Sequence, residues 1–405
     1  MIKLLYISSF VPYKRICHGG GQTFNYYVKN ISKDKDIQTK MIGFCRYDDK
    51  KYIDEEKANY ECHCILTRGT FITNVKRVIV DTYGKIVKKH DSELSYYLER
   101  EMLKEAMKLK KSGYMPDVIV LEWTNIVLEI EKIKAIFPDA KYVASEHDVS
   151  FLGYKRKYDT ASDNNKISAK LAYENMKERE IEALKLCDIA MPHNNKDKKL
   201  LVDNGVSEEK IHVLTPYYHD MRNIKRENIN HDILFWGAMH RPENYEAAIW
   251  FIDNVMPLLE DTDIRFVVAG NRPPESLKER ASKRIVITGY VENEVEYFEH
   301  SLCFVSPLLT GAGIKIKVIE ALSAKIPVLT NEIGIEGIPA VDGISYFKCE
   351  TAQDYERAIR NIIQGKEDID KLVDSQLEVI EKYFNMSKSF CEYKKMLFDL
   401  REESV

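Results

Sequence analysis

Short apolar runs alternate with helical segments along most of the chain, and this alternation most constrains its fold. The first run, Ile2 to Ser8, precedes Gly19-Gly20-Gly21 and helical periodicity from Thr23 to Ile31, which is the order strand, glycine-rich loop, helix. Three later runs are typical of buried parallel strands: Asp117 to Glu122, Lys141 to Ser145 and Asp188 to Met191. This alternation predicts an α/β protein with a doubly wound sheet.

The pattern stops and then restarts, which predicts two domains. Residues 212 to 232 are polar, contain a proline and lack periodicity. A chain of 405 residues is long enough for two full cores. We expect a first Rossmann-like domain over 1–215, a linker over 216–232, a second Rossmann-like domain over 233–385 and a final helix over 386–405. The apolar spacing of that helix predicts that it packs on a domain, and we place it on the first.

Five runs in the second half resemble buried strands: 233–237, 264–270, 285–289, 302–307 and 326–330. Helical segments separate them. Open α/β sheets bind ligands beyond the carboxyl ends of their strands. We therefore expect the two Rossmann-like βαβ domains to face each other across a cleft that holds the ligand.

Composition limits the classes of partner. A net charge of −4 gives no overall positive field for nucleic acid, so any anion site must be local. The triplet Cys62-His63-Cys64 lacks the spacing of a structural zinc site, so we expect reduced thiols in a cytoplasmic chain and no metal. No stretch approaches the roughly 18 apolar residues that span a bilayer.

The stretch TGAGIKIKVIE, residues 310–320, predicts an anion site. Lys315 and Lys317 lie at the start of a predicted helix, where the positive end of the helix dipole disfavours cations. A diphosphate bound by the first-turn amides would reverse that unfavourable term. The alternative is that both lysines are solvated and that Lys317 pairs with Glu320.

Glu320 lies in the apolar context VIEAL, where a buried carboxylate needs hydrogen-bond donors. Sugar hydroxyls are suitable donors, including the ribose diol of a nucleotide. A lysine partner or an exposed helix face are the alternatives.

Longer stretches of the chain resemble a known family. In the second half these are FWGAMHRPENYEAAIWFIDNVMPLL, FVVAGNRPP, ITGYVENEVEYF and SPLLTGAGIKIKVIEALSAKIPVLTNEIGIEGI, and in the first half SEHD and CDIAMPHNNKDKKLL. Their order and spacing resemble those of retaining glycosyltransferases of the GT-B fold, of the family 4 type (glycosyl transferases group 1). That family includes bacterial enzymes of surface polysaccharide synthesis.

The resemblance implies roles for the residues around the anion site. Glu320 matches the second glutamate of the family's Glu-x7-Glu motif, which binds the donor ribose. The first glutamate is replaced by Ala312, so the resemblance leaves backbone N–H groups of Ala312, Gly313 and Ile314 to hold part of the donor.

Other second-domain positions follow by the same resemblance. The loop after the first strand holds Gly237, but the family's arginine is replaced by Ala238. Arg241 is the nearest cation and is expected to act with Lys315 and Lys317. Tyr290 and Val291 match the segment that contacts the nucleobase.

In the first domain, Gly20 and Gly21 resemble the loop that closes over the diphosphate and acceptor. His147 matches the histidine that contacts the donor sugar, and its alternative is an ordinary hydrogen-bonded loop histidine. Glu122, Glu146 and Asp148 also follow strands and are candidates for the acceptor side.

The implied activity is sugar transfer from a UDP- or GDP-linked donor to a glycan, a lipid-linked or another hydroxyl acceptor, with retention and without a cofactor. The alternatives are a non-catalytic nucleotide-binding protein or partner subunit, and a nucleotide-sugar epimerase. The run FLGYKRKY, residues 151–158, is either a contact for anionic membrane at the inner face or a solvated helix edge.

Overall fold

The computed structural model of the chain describes residues 1–14, 19–55, 58–69, 71–311 and 313–402. These residues form two compact units. The first contains most of the described chain up to Leu214 together with the residues from Ser387 onwards, and the second contains Thr215–Met386. Each unit has its own hydrophobic core.

The described part of the first unit contains one parallel sheet. Its strands are β1 (Ile2–Ser8), β2 (Ile37–Arg46), β3 (Glu61–Arg68), β4 (Val118–Glu122), β5 (Lys141–Glu146) and β6 (Ile189–Pro192). Their order is β3-β2-β1-β4-β5-β6. The chain therefore reverses its direction of travel across the sheet between β1 and β4, where Ser8 pairs with Glu122.

Helices connect these strands. They are α1 (Gly19–Ile31), α2 (Tyr47–Glu55), α3 (Phe71–Val87), α4 (Tyr96–Lys111), α5 (Thr124–Val127), α6 (Ile130–Ile136), α7 (Ser150–Asp159), α8 (Asp163–Leu186) and α9 (Asn195–Asp203). The central strand β4, with the sequence VIVLE, is buried along its whole length. Helices cover both faces of such a sheet, so its central strands consist mainly of apolar, often β-branched residues.

The second unit repeats the same strand order. Its strands are β7 (Asp232–Trp236), β8 (Arg265–Ala269), β9 (Ile285–Gly289), β10 (Cys303–Ser306), β11 (Val328–Thr330) and β12 (Phe347–Lys348). The sheet order is β12-β11-β10-β7-β8-β9. The point of reversal lies between β7 and β10, which pair in parallel. The predicted fold class, α/β with two Rossmann-like units, is confirmed.

The helices of the second unit complete the α/β alternation. They are α10 (Pro242–Asn254), α11 (Glu275–Lys278), α12 (Val295–His300), α13 (Ile316–Ser323), α14 (Ala352–Ile363) and α15 (Ile369–Tyr383). The final helix, α16 (Met386–Glu402), packs on the first unit. The Tyr393 hydroxyl lies 2.6 Å from the buried Tyr6 hydroxyl, and Ser389 lies 2.8 Å from the Tyr27 hydroxyl.

The structure differs from the sequence-based expectation in the first unit. Strands β2 and β3 were not predicted, because they lie towards one edge of the sheet and carry polar residues on their partly exposed positions. The expected glycine-rich loop at residues 19–21 is also wrong, because Gly19 begins α1 and the three glycines form its first turn.

Residues 216–232, expected to be a linker, pack on the second unit. Tyr218 and Met221 are buried in its core, and the Met221 N–H donates to the Ser323 hydroxyl at 3.1 Å. Arg226 donates to the carbonyl oxygens of Phe298 and Lys325. Among the described helices, none is both long and apolar enough to cross a membrane.

Two glycines bring the carboxyl ends of β7 and β8 into close contact. The Gly237 N–H donates to the Ala269 carbonyl at 3.0 Å, and the Gly270 N–H donates to the Gly289 carbonyl at 3.0 Å. Gly270 has a φ of 148°. A Cβ added there would lie 1.6 Å from the Gly237 carbonyl oxygen, so this edge of the sheet requires glycine at 270.

We expect Gly270→Ala to lower the free energy of unfolding by roughly 3 kcal/mol or more, because backbone strain and overlap act together. Gly365→Ala is the matched control, because Gly365 has a φ of 64° with open space around it. That variant should lose only about 1–2 kcal/mol. Urea unfolding followed by circular dichroism measures both, and equal losses would contradict the close approach.

Candidate functional site

The cationic residues predicted for an anion site lie at the point of reversal of the second sheet. The loop after β7 leads through Gly237 to Arg241, which precedes α10. The loop after β10 leads through Gly313 to Lys315, which precedes α13. Because β7 and β10 are neighbours, both loops leave the same edge of the sheet, where doubly wound folds bind ligands.

Lys317 is held on two sides. Its ammonium group donates to Asn244 Oδ1 at 2.5 Å and lies 4.6 Å from the centre of the Phe235 ring. Asn244 is fixed in turn, because its side-chain N–H donates to the Ala238 carbonyl at 3.0 Å. The ammonium group is therefore positioned by β7 and α10 rather than left on a mobile side chain.

The environment of Lys317 disfavours its charge. Burial lowers the pKa of Lys317 to about 7, and the neighbouring charges of Lys315 and Arg241 act in the same direction, against Glu243. Lysine has an ordinary pKa near 10.4. An anion bound beside this amine would restore its protonated form.

Lys315 and Arg241 lie near Lys317 and differ in their exposure to solvent. The Lys315 side chain is 10% exposed, and its ammonium group donates to the Gly313 carbonyl at 2.5 Å and lies 3.5 Å from Glu336. The Arg241 guanidinium is 50% exposed and pairs with Glu243. The structure thus brings the three predicted cations into one region, and it adds Asn244 and Glu336 as their partners.

Glu320 lies in the second turn of α13 and is buried. Its Oε1 accepts a hydrogen bond from the His219 N–H at 3.2 Å. Burial raises the pKa of Glu320 to about 7, and this hydrogen bond opposes the rise. The His219 ring also pairs with Glu294 at 2.8 Å, which raises the pKa of His219. Glu320 therefore belongs to a polar group of its own, beside the cationic residues on the same helix.

The remaining predicted site residues of the second unit differ in their burial and in their place in the fold. Tyr290 is exposed and Val291 is partly buried, directly after β9. Gly313 is buried with a φ of 70°, and Ile314 packs at the margin of the core. Ala312 lies outside the described residues.

In the first unit, His147 takes part in a chain of hydrogen bonds that joins the ends of β4, β5 and β6. Its Nε2 lies 2.9 Å from Glu122 Oε2, and its Nδ1 lies 2.9 Å from His193 Nε2. The His193 Nδ1 in turn lies 2.8 Å from the Leu214 carbonyl oxygen. Both ring nitrogens of His147 are thus engaged within the unit.

The chain fixes where its protons lie. The Leu214 carbonyl can only accept, so His193 Nδ1 carries a proton and, in the neutral ring, its Nε2 accepts from His147 Nδ1–H. Burial lowers the pKa values of His147 and His193 to about 3, and burial raises the pKa of Glu122 to about 8. The protonated Glu122 carboxyl group therefore donates a hydrogen bond to His147 Nε2. Glu122, His147 and His193 are then all uncharged.

Gly20 and Gly21 lie in the first turn of α1, and Gly20 lies beside this chain. A Cβ at Gly20 would lie 3.1 Å from His147 Nδ1 and 3.5 Å from the Trp123 ring. Trp123 stacks on His147 with ring centres 4.1 Å apart. Glycine at position 20 therefore lets α1 approach the aromatic and histidine side chains closely.

Sequence reasoning missed His193 and Trp123. His193 directly follows β6, as His147 directly follows β5. A search for polar side chains after every predicted strand would have found it. Within the described ranges, no group of three or more His, Cys, Asp or Glu side chains has the geometry to hold a metal. The Cys62 and Cys64 sulfur atoms lie 3.5 Å apart on β3.

Part of the chain is similar in sequence to known proteins. Residues 230–365 match the family model described as Glycosyl transferases group 1. An uncharacterized 44.6 kDa protein from the cps region of Klebsiella pneumoniae is 30% identical over 134 residues, which are 30% of this chain and 34% of that protein. The O-antigen biosynthesis glycosyltransferase WbnH of Escherichia coli is 27% identical over 217 residues, covering 50% of this chain and 60% of WbnH. The matches thus span less than two thirds of these relatives.

Solved structures share the fold along nearly the whole chain. The structure of Anabaena Alr3699/HepE in complex with UDP has a TM-score of 0.68 at 9% identity, over 98% of this chain and 100% of that one. Sucrose-phosphate synthase from Thermosynechococcus elongatus has a TM-score of 0.68 at 13% identity, over 98% and 99%. The solved structures share the GT-B fold of this chain, and residues 230–365 are similar to the domain described as Glycosyl transferases group 1.

The proton arrangement in the first unit predicts the titration of its histidines. We expect His147 and His193 to stay neutral from about pH 5 to pH 8, because their pKa values lie far below this window. His219 should titrate above the ordinary histidine value, because Glu294 stabilises its cation.

Nitrogen-15 NMR of the imidazole groups, assigned with His→Gln variants, measures all three in one sample. It should also show His193 protonated at Nδ1. Titration of His147 within this window would contradict the uncharged chain.

Proposed function

We propose that this protein is a glycosyltransferase that moves a sugar from a nucleoside-diphosphate sugar to a hydroxyl acceptor. The observation that carries the proposal is the arrangement of Lys317, Lys315 and Arg241 at the start of α13 and α10, beside the point of reversal of the sheet. A diphosphate matches that arrangement, because it has several negative charges and accepts hydrogen bonds from lysine, arginine and helix N–H groups.

The cations suit the chemistry of a diphosphate leaving group. In the proposed reaction the bond between the anomeric carbon and the β-phosphate oxygen breaks, and the acceptor oxygen bonds to that carbon. The acceptor proton passes to the departing diphosphate. Negative charge grows on the β-phosphate during this step, so fixed cations and helix amides lower the barrier by electrostatic preorganisation. A glycosidase differs, because its leaving group must be protonated by a carboxylic acid.

Glu320 is proposed to bind the ribose. Its pKa is raised to about 7 by burial, and ribose hydroxyls that donate to it would stabilise the carboxylate. Exposed Tyr290 and partly buried Val291 are proposed to contact the base. In the first unit, His147 and the first turn of α1 are proposed to serve the donor sugar and the acceptor. A hydrogen bond from His147 to the sugar would replace one of its present bonds to Glu122 or His193.

The nucleotide and the pathway are proposed from the similar proteins. Alr3699/HepE has been solved with UDP, with UDP and glucose, and with UDP-glucose, and WbnH is named for O-antigen biosynthesis. We propose a UDP- or GDP-linked donor, retention of anomeric configuration, no metal requirement, and a role in bacterial surface polysaccharide synthesis at the cytoplasmic side. The acceptor is then a glycan or a lipid-linked glycan.

We expect one class of donor to stabilise the protein in a thermal-shift panel of UDP, GDP, ADP and CMP sugars. With that donor, Lys317→Ala should lower the rate of transfer by about 10²-fold, comparable with the loss of one oxyanion-stabilising donor. Release of the nucleoside diphosphate measures both transfer to acceptor and donor hydrolysis.

Lys283→Ala is the matched control. Lys283 is exposed and precedes β9, so it lies at the amino ends of the strands, whereas Lys317 lies at their carboxyl ends. Its rate should be unchanged. Equal rates for the Lys317 and Lys283 variants would remove Lys317 from the reaction. Donor binding without release of any product would instead favour a non-catalytic nucleotide-binding protein.

The lowered pKa of Lys317 predicts that diphosphate binding takes up a proton. In the free protein at about pH 8 most Lys317 amines are neutral, and a bound diphosphate raises their pKa. Affinity for UDP or GDP should therefore fall as the pH rises above about 7.

Calorimetry at about pH 8, where Glu320 with its pKa of about 7 is already mostly ionised, in two buffers of different ionisation enthalpy measures the number of protons taken up by Lys317. Lys317→Met should bind the diphosphate more weakly and without this uptake. Undiminished uptake in that variant would assign the proton to another group.

A further inference from the structure

Helix α3 turns its apolar side to the solvent. Residues Ile72, Val75, Ile79, Tyr83 and Ile86 follow one another at spacings of three or four, so they share one side of the helix. All five are exposed, Ile72 at 78% and Ile86 at 74%. Phe71, Val78 and Val87 widen the same surface and are also exposed. We call these eight residues the apolar face of α3.

Val80 packs against the core from the inner side of α3, but the other inner contacts are made by a small and two polar residues, unlike those of an ordinary surface helix. Gly84 packs so closely that an added Cβ would lie 2.5 Å from the Tyr96 side chain. Arg77 donates to the Thr67 carbonyl at 2.5 Å, and Asp81 accepts from the Tyr97 N–H at 2.8 Å. These contacts fix which side of α3 faces outward.

Lysines surround the apolar face. Lys76 and Lys85 lie on α3, Lys88 and Lys89 follow it directly, and all four are exposed. The helix contains one acidic residue, Asp81, and that residue is turned inward. An exposed apolar surface of this kind marks a binding face rather than scattered surface residues, and its margin is positively charged.

We propose that the apolar face of α3 lies in the interfacial region of an anionic lipid bilayer, with Lys85, Lys88 and Lys89 at the headgroups. The Lys76 ammonium group instead lies 3.9 Å from Glu101. A helix of this pattern lies parallel to the membrane plane, with its apolar side buried in the boundary between headgroups and acyl chains. The 17 residues of α3 extend about 25 Å, so the whole face can enter a flat surface at once.

Charge selects the bilayer over a second copy of the chain. A parallel contact between two α3 helices would bring Lys85, Lys88 and Lys89 of both copies together. An antiparallel contact centred near Val80 would place Lys76 of each copy beside Lys85 of the other. Anionic headgroups instead attract each lysine. The run at residues 151–158 is less suited to this role, because Phe151 is buried in the core and Lys155 pairs with Asp159 at 2.7 Å.

Vesicle flotation tests the proposal without any nucleotide sugar, so its result is independent of the proposed transfer activity. The full chain should float with phosphatidylcholine vesicles that contain phosphatidylglycerol, and much less with phosphatidylcholine alone or at high salt. Ile72→Glu with Ile79→Glu should weaken binding at least about tenfold. Lys85→Gln, Lys88→Gln and Lys89→Gln together should weaken it by about 10²-fold.

The matched control is Ile167→Glu with Leu171→Glu, two exposed apolar residues of α8. That variant should float like the unchanged protein, and thermal unfolding should show all variants folded. Equal flotation of the two glutamate variants, or no flotation of the unchanged chain, would overturn the proposal. Sedimentation velocity tests the alternative that a second copy of the chain covers this face. If the unchanged protein is a dimer that does not bind vesicles, and only the α3 glutamate variant is a monomer, the face belongs to a dimer interface.

Discussion

An ammonium group held between the Phe235 ring and the Asn244 amide is the interaction on which the account of the second unit depends. The group is positioned by β7 and α10 yet belongs to α13, so it ties together the two loops that leave the point of reversal. Its pKa is lowered by burial and by Lys315. Lys315 and Arg241 have the acidic partners Glu336 and Glu243, whereas the Lys317 amine is held by a neutral amide, so a bound anion stabilises its charge most. The start of α13 adds helix amides.

The first unit has the same strand order as the second, but the residues at the carboxyl ends of its strands form an uncharged group instead of a cationic one. There the ends of β4, β5 and β6 carry Glu122, His147 and His193, whose hydrogen bonds share protons so that no member needs a charge. Removing His193 would leave both His147 Nδ1–H and the Leu214 carbonyl without partners, and unpaired buried polar groups are costly. Histidine, glutamate and the Trp123 ring therefore act as one rigid group.

The sequence predicted much of this structure because buried parallel strands have a strong apolar signature. Ile2–Ser8 and Ile285–Gly289 have the predicted bounds, and the helix that follows the TGAG stretch begins close to its expected position. β3 lacks that signature, because exposed positions at a sheet edge accept polar residues. In β2 the buried run from Met41 to Cys45 has it, but Gln38 and Lys40 interrupt the strand before that run. The partners of Lys317 could not be predicted, because Phe235 and Asn244 reach it only through tertiary packing. The exposure of the apolar face of α3 could not be predicted either, because periodicity identifies an apolar side of a helix but not whether that side faces the core or the solvent.

The most direct measurement is a crystal structure of the full chain with the nucleoside diphosphate that stabilises it best. We expect phosphate oxygens within hydrogen-bond distance of the Lys317 ammonium group and of the backbone N–H groups at the start of α13, with a ribose hydroxyl donating to Glu320. A diphosphate bound away from α13, or bound there with Lys317 still held by Asn244 alone, would contradict this expectation.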